Sequence, residues 1–398
     1  MGSRFSPMIS RAFGARRGKQ ELGRPSPHCE SLAGVSLLKV QSIFKAALAA
    51  CSLAMIAGCP GNQIPGGSIP GAIGSTIATA TPLTLDSDGT ATIQGTISGS
   101  KVDVYDLGPV SPGDHIVVHV RPASGSGLDP TTAMFDTNSE LFALNDDTDT
   151  ATGRVDSTID DYVRSGTSHL YLATTKYYSG NNGGAYEGDV SIQHAATLPA
   201  ILPQVLLLNF AGGTIDIPDE GTYSFGPFDS ADIDAAYAGA TTQIKAVIVA
   251  TVKQNYQNFG ITIVTSDDPP VDNTNCVVST IQFGAFSATK FGIAQDVDQA
   301  NHQRCDSAIV FTDQFDKPFS PQPTTEGIGV AIGNVASHEG GHLLGLNHVA
   351  DVTDLMDTTG SASTLLGDQE FKTSPLVGAI FPFGQQNGPA ILDRVIPK

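Results

Sequence analysis

The chain has 398 residues, 40% of them apolar, with 21 basic and 40 acidic side chains and a formal net charge of −19. That length exceeds what one hydrophobic core usually organises, so two domains plus leader material are expected. Eight of the basic residues but only two of the acids lie before residue 46, so 13 basic and 38 acidic residues follow, a balance of −25. Such a surface repels polynucleotides and anionic lipid, which excludes nucleic acid as a partner and suits solubility outside the cell.

Ala46 to Gly58 is an uncharged run behind Lys39 and Lys45, too short to span a bilayer as a helix. It reads as the apolar part of a secretory signal. It closes on Ile56-Ala57-Gly58-Cys59, which resembles a bacterial lipobox. Leu48-Ala49-Ala50-Cys51 fits the same pattern but leaves only a short apolar stretch after Lys45, so Cys59 is the expected lipidation site. The resemblance implies an exported cell-envelope lipoprotein that meets the membrane only through its lipid; an ordinary signal peptide and a secreted protein are the alternative. Residues 1–58 are then leader, and 59–78, an uncharged Gly/Pro-rich stretch, are a tether.

Between residues 79 and 197, short β-prone runs alternate with turn residues: Ala91 to Ile97, Lys101 to Leu107, His115 to Val120, Thr132 to Phe135, His169 to Thr174 and Gly188 to Gln193. Strands at this spacing without a helix predict an all-β sandwich. Val104-Tyr105-Asp106-Leu107, Pro112-Gly113-Asp114, Leu128-Asp129-Pro130, Leu141 to Asp147 and Leu170-Tyr171-Leu172 resemble the pre-peptidase C-terminal (PPC-like) β-sandwich family. Asn145, Asp146, Asp147 and Asp149 offer oxygens to a calcium ion or form a solvated turn, and the sequence favours the turn. His115, His119, His169 and His194 lack the spacing of metal ligands.

From residue 198 to 398 the pattern becomes strand, helix, strands, helix. Val205 to Phe210 reads as a strand, a single helix is predicted from Asp229-Ser230 to about Asn258 with a stop at Gly260, and Ile261 to Thr265, Val277 to Phe283 and Ser307 to Thr312 read as strands. This predicts an α/β (α+β) layer with helices on a mixed, twisted sheet. With the leader removed, Cys276 and Cys305 remain; in an oxidising compartment they are expected to pair, the alternative being a thiolate on a metal in a latent enzyme.

His338-Glu339-Gly340-Gly341-His342-Leu343-Leu344-Gly345-Leu346-Asn347-His348 carries the chemistry. His338 and His342, four residues apart, share one face of a helix and can grip one cation, while Glu339 can reach a water on the metal. A third ligand at His348 requires a sharp turn, and Gly345 supplies it because a residue without Cβ enters the left-handed region cheaply. Three neutral imidazoles leave a zinc ion charged and open at a fourth position, as in catalytic sites.

This HExxHxxGxxH pattern, with Met356 in Asp354-Leu355-Met356-Asp357, resembles the metzincin metalloproteases, closest to matrixins and small bacterial and archaeal members. The resemblance implies a zincin domain with an active-site helix, one catalytic Zn²⁺ on His338, His342 and His348, Glu339 as general base, and Met356 in a Met-turn beneath the metal. Thr358 stands where two other branches have a ligating Tyr. It further implies endopeptidase action on protein or peptide substrates extended along an edge strand, with Lys290 to Gln295 as candidate. Leu365, Leu366 and Phe371 are candidate pocket walls or core. The alternative is a surface binding or adhesion lipoprotein whose zinc domain is not catalytic.

Overall fold

The computed structural model describes residues 73–148, 154–178, 183–218 and 220–398. The leader, the lipobox with Cys59, most of the tether and Asp149 lie outside the described residues.

The first nine strands are β1 (Thr81–Pro82), β2 (Thr90–Ile97), β3 (Asp103–Asp106), β4 (His115–Pro122), β5 (Pro130–Phe135), β6 (Leu141–Asn145), β7 (Ser157–Tyr162), β8 (Tyr171–Lys176) and β9 (Gly184–Gln193). They form a five-stranded sheet in the order β1-β3-β8-β5-β6 and a four-stranded sheet in the order β2-β9-β4-β7. β4 shows why they face each other: Ile116, Val118 and Val120 are buried while His115, Val117 and His119 are half-buried, the period of two that a one-sided strand requires. Ile93, Ile116, Val118 and Val190 from one sheet and Tyr105, Met134 and Leu172 from the other share one core. β7 escapes the sequence pattern because its alternation is carried by Ser157, Ile159 and Asp161 rather than by three apolar residues.

A third sheet contains β10 (Gln204–Asn209), β13 (Ile261–Thr265), β14 (Val278–Gly284), β15 (Gly292–Ala294) and β16 (Ser307–Phe311), in the order β13-β10-β14-β16-β15. All its pairings are parallel except β15 on β16. β15 is therefore a short edge strand with one unpaired side. A hairpin of β11 (Gly213–Ile217) and β12 (Gly221–Phe225) packs Ile215 and Ile217 against Ile309 and Phe311 on one face of this sheet. Helices cover the other face, where Leu206, Leu208, Ile281, Phe283 and Val310 are buried.

The single helix expected from Asp229 to Asn258 is broken, which corrects that reading. Asp229 caps a single turn, α1 (Ser230–Ile233), by accepting from Ala231 N, and Asp234 is extended and caps a short 3-10 turn. Gly239 then takes φ +82°, and only afterwards does α2 (Thr241–Asn255) begin. Asp at these positions hydrogen-bonds the backbone two residues on, so each begins a new turn rather than extending the last. Gly260 acts through proximity: a Cβ there would lie 1.9 Å from the Pro397 carbonyl oxygen.

α3 (Thr325–His342) is capped by Thr324, whose Oγ1 accepts from Gly327 N. Its glycines bring α2 close, since a Cβ on Gly329 would meet Val247 at 2.7 Å and one on Gly333 would meet Thr251 at 2.6 Å. Ile328, Ile332 and Ala336 lie fully buried along this contact, the two isoleucines stabilising it by roughly 1.5 to 3 kcal/mol each. The chain ends with β17 (Thr373–Pro375) paired to β18 (Gln385–Asn387) and α4 (Gly388–Val395).

Candidate active site

His338 and His342 stand one turn apart at the end of α3. Leu343 closes the helix, and Gly345 follows at φ +90°, its N–H bonded to the His342 carbonyl at 2.9 Å. A side chain there would be strained twice, because a Cβ would also approach the Asp298 carbonyl oxygen to 2.9 Å. The reversal brings His348 back to the helix, and the ligand atoms of the three histidines all lie within 4.8 Å of one another.

Backbone carbonyls set the orientation of two of the rings. The Nδ1 of His338 is 2.7 Å from the Leu355 oxygen and that of His342 is 2.8 Å from the Leu346 oxygen, so both rings donate from Nδ1 and present an Nε2 lone pair. His342 Nε2 sits 3.1 Å from that of His338 and 3.0 Å from that of His348. Lone pairs this close repel unless a cation shares them. Three nitrogens on one tetrahedral zinc, at about 2.0–2.1 Å each, lie roughly 3.3 Å apart, so the donor set fits such an ion. Burial lowers the pKa of all three imidazoles, with the neighbouring histidines adding to the effect on His342 and His348, and His348 falls to about 3. The rings are therefore neutral ligands across the physiological range.

Glu339 is 5% exposed and lies against β15. A Cβ on Gly292 would come within 2.5 Å of its Oε1 and 2.8 Å of its Cδ, so only glycine lets the edge strand pass this closely. Burial pushes the carboxyl up to about 8, offset in part by the Lys290 ammonium and a hydrogen bond from the Ala294 backbone. A dication on the adjacent imidazoles would draw it back toward the ionised form.

Met356 is buried beneath the helix, its sulfur 2.5 Å from where a Cβ on Gly341 would stand. Asp354 holds this turn: it accepts from Met356 N at 2.9 Å and from Ser374 Oγ at 2.7 Å while 2% exposed. Asp354 and Gly292 were missed in the sequence reading. An Asp two residues before a buried apolar residue is the signature of the first, but nothing local announces the second. Asn334 ties α3 to the following loop through the Leu365 and Gly367 carbonyls, at 3.0 Å each. Phe371 packs on Tyr256 and Phe259 and so belongs to the core, with Leu365 and Leu366 half-buried against that core. Thr358 is exposed.

The other expected positions lie elsewhere. Cys276 and Cys305 are joined by a disulfide, Cα to Cα 5.0 Å, remote in sequence from the histidines. Asn145 uses its side-chain oxygen to accept from Thr158 N of β7, and Asp146 accepts from Asp147 N beside it. His115, His119, His169 and His194 each face a separate carboxylate, those of Asp160, Asp156, Asp106 and Asp114.

No family model matches the chain, and no curated protein matches it. Solved structures overlap parts of it. A zinc-dependent peptidase from Methanocorpusculum labreanum is 11% identical with a TM-score of 0.27, over 42% of this chain and 93% of its own. Archaemetzincin from Methanopyrus kandleri is 14% identical with a TM-score of 0.24, over 44% of this chain and 92% of its own. The pre-peptidase C-terminal domain of a collagenase from Bacillus anthracis is 22% identical with a TM-score of 0.21, over 28% of this chain and 93% of its own.

Proposed function

We propose that the chain is a zinc-dependent endopeptidase of the metzincin type. The carrying observation is the convergence of three Nε2 lone pairs beside a buried Glu339 that is held against an edge strand with one unpaired side. His338, His342 and His348 would hold the ion. Zinc bound there supplies Lewis-acid polarisation of the scissile carbonyl and makes water more acidic.

The protein side chains and backbone do the rest. A substrate in extended form pairs with the unpaired side of β15, the standard way a peptide meets a sheet edge. Gly292 keeps that backbone close to Glu339, and the Ala294 N–H orients the carboxylate. Glu339 takes the proton of the attacking water and returns it to the leaving amine. Burial of the site excludes bulk water that would compete for these hydrogen bonds.

Residues 79–197 form a PPC-like sandwich domain in this reading and 198–398 the catalytic domain, exported and tethered to the cell envelope by a lipid on Cys59. Chelation is expected to abolish digestion of casein and zinc to restore it. Glu339→Ala is expected to retain stoichiometric zinc and lose at least about a hundredfold in rate. Digestion at the wild-type rate by that variant would refute the mechanism, and stoichiometric zinc without any cleavage by the wild type would favour the surface-binding alternative.

A further inference from the structure

At the N-terminal end of β15 the surface opens into a cavity of about 130 Å³. Phe291, Phe311, Phe315 and Pro318 supply its apolar walls, and Ala288 closes one side. The walls are firm. Phe291 packs on Phe315 with ring centroids 4.8 Å apart, and its carbonyl accepts from Phe311 N at 2.8 Å. An apolar cavity of about 150 Å³ holds a benzene molecule, so this one, whose rim adds the polar Ser287, Thr289 and Gln314, has room for a single aromatic ring with a polar edge such as Tyr or for Phe.

Its place matters as much as its size. Phe291 directly precedes Gly292, the residue whose Cα abuts the Glu339 carboxylate. Phe291 is one residue and Ser287 five residues before Gly292, so an extended substrate paired with β15 and advancing about 3.3 Å per residue reaches this end of the strand a few residues from Glu339. Its only carboxylate is Asp313, which opposes an acidic occupant, and the Lys290 ammonium at its edge is paired with Glu220.

We infer that this cavity is a substrate subsite that receives an aromatic side chain a few residues from the cleaved bond. The inference rests on the endopeptidase reading and names a determinant of its selectivity. It is tested on the full zinc-loaded chain with a peptide library. Wild type is expected to enrich Phe or Tyr at one such position. Ala288→Trp, at an exposed position, fills the cavity and is expected to lower the ratio of Phe-peptide to Gly-peptide cleavage at least about tenfold. A flat profile at those positions, or a preference unchanged in Ala288→Trp, overturns the subsite. If the wild type cleaves nothing, the endopeptidase reading fails separately, and binding decides the subsite. Zinc-loaded Glu339→Ala must then bind a Phe-bearing peptide at least about tenfold more tightly than its Gly twin, and equal affinities overturn it.

Discussion

Two carbonyl oxygens orient two of the three clustered histidines. Because Leu355 and Leu346 accept from Nδ1, the rings of His338 and His342 are held with Nε2 turned toward His348. Burial acts on carboxylates in the opposite sense to imidazoles, and Asp306 shows it away from the site. One of its oxygens accepts from Ser279 Oγ at 2.6 Å while the other, buried, has no partner. Burial raises its pKa to about 7, offset by Ser279 and reinforced by Asp298. The folded state thus holds a proton that the unfolded chain releases near pH 4, so this group makes stability fall as pH rises from about 4 to 7, by at most ~1.4 kcal/mol per pH unit. Asp306→Asn removes that component. The melting temperature of the variant relative to wild type is expected to be higher at pH 8 than at pH 5, measured by calorimetry; a difference independent of pH would contradict it.

At the level of elements, β15 lies directly against Glu339. Three residues long and paired on one side only, it is fastened at both ends to the hairpin: Lys290 pairs with Glu220, and Gln295 Nε2 donates to the Asp216 carbonyl at 2.8 Å. Gly292→Ala places a methyl on the carboxylate of Glu339, so the carboxylate must move. A displacement of about 1 Å at a reacting group costs on the order of a hundredfold. Cleavage by Gly292→Ala is therefore expected to fall tenfold to a hundredfold with zinc content unchanged, and wild-type activity would show that the contact is immaterial. The strand was anticipated from Lys290 to Gln295, but its dependence on glycine was not, because the partner is 47 positions later in the chain. The hairpin was not anticipated either. The sequence between its five-residue arms reads as loop, and its apolar residues matter only once β16 is beneath them.

For the whole molecule, the segment after β17 joins the sandwich to the histidine cluster. Every residue of β5 is buried, because Ala133 and Phe135 face Leu376 and Phe381 while Met134 faces the sandwich core. Phe135 lies 5.3 Å from the Phe381 ring and 4.9 Å from that of Phe383. The same segment reaches the histidines, since Val377 N donates to the His348 carbonyl at 3.2 Å. Residues 198–398 alone would expose Leu376, Phe381 and Phe383, so that piece is expected to aggregate and to bind zinc more weakly than the full chain. A monomeric piece with full-chain zinc affinity, measured by competition with a chelator, would show that the contact is dispensable.

Local spacing made the histidines, Glu339, Gly345 and Met356 legible, because a helix turn and its reversal are fixed by residues within reach of one another. The strands of the sandwich were legible where apolar residues alternate, as in β4, and not where a strand carries acids, as in β7. Sequence alone determined the spacing that gathers the three histidines, the acidic balance of charge and the two sheet-bearing regions. Only the tertiary structure decided which carbonyls orient the rings, which glycine faces Glu339 and which sheet face is covered. Those depend on contacts between distant segments, which no local pattern records.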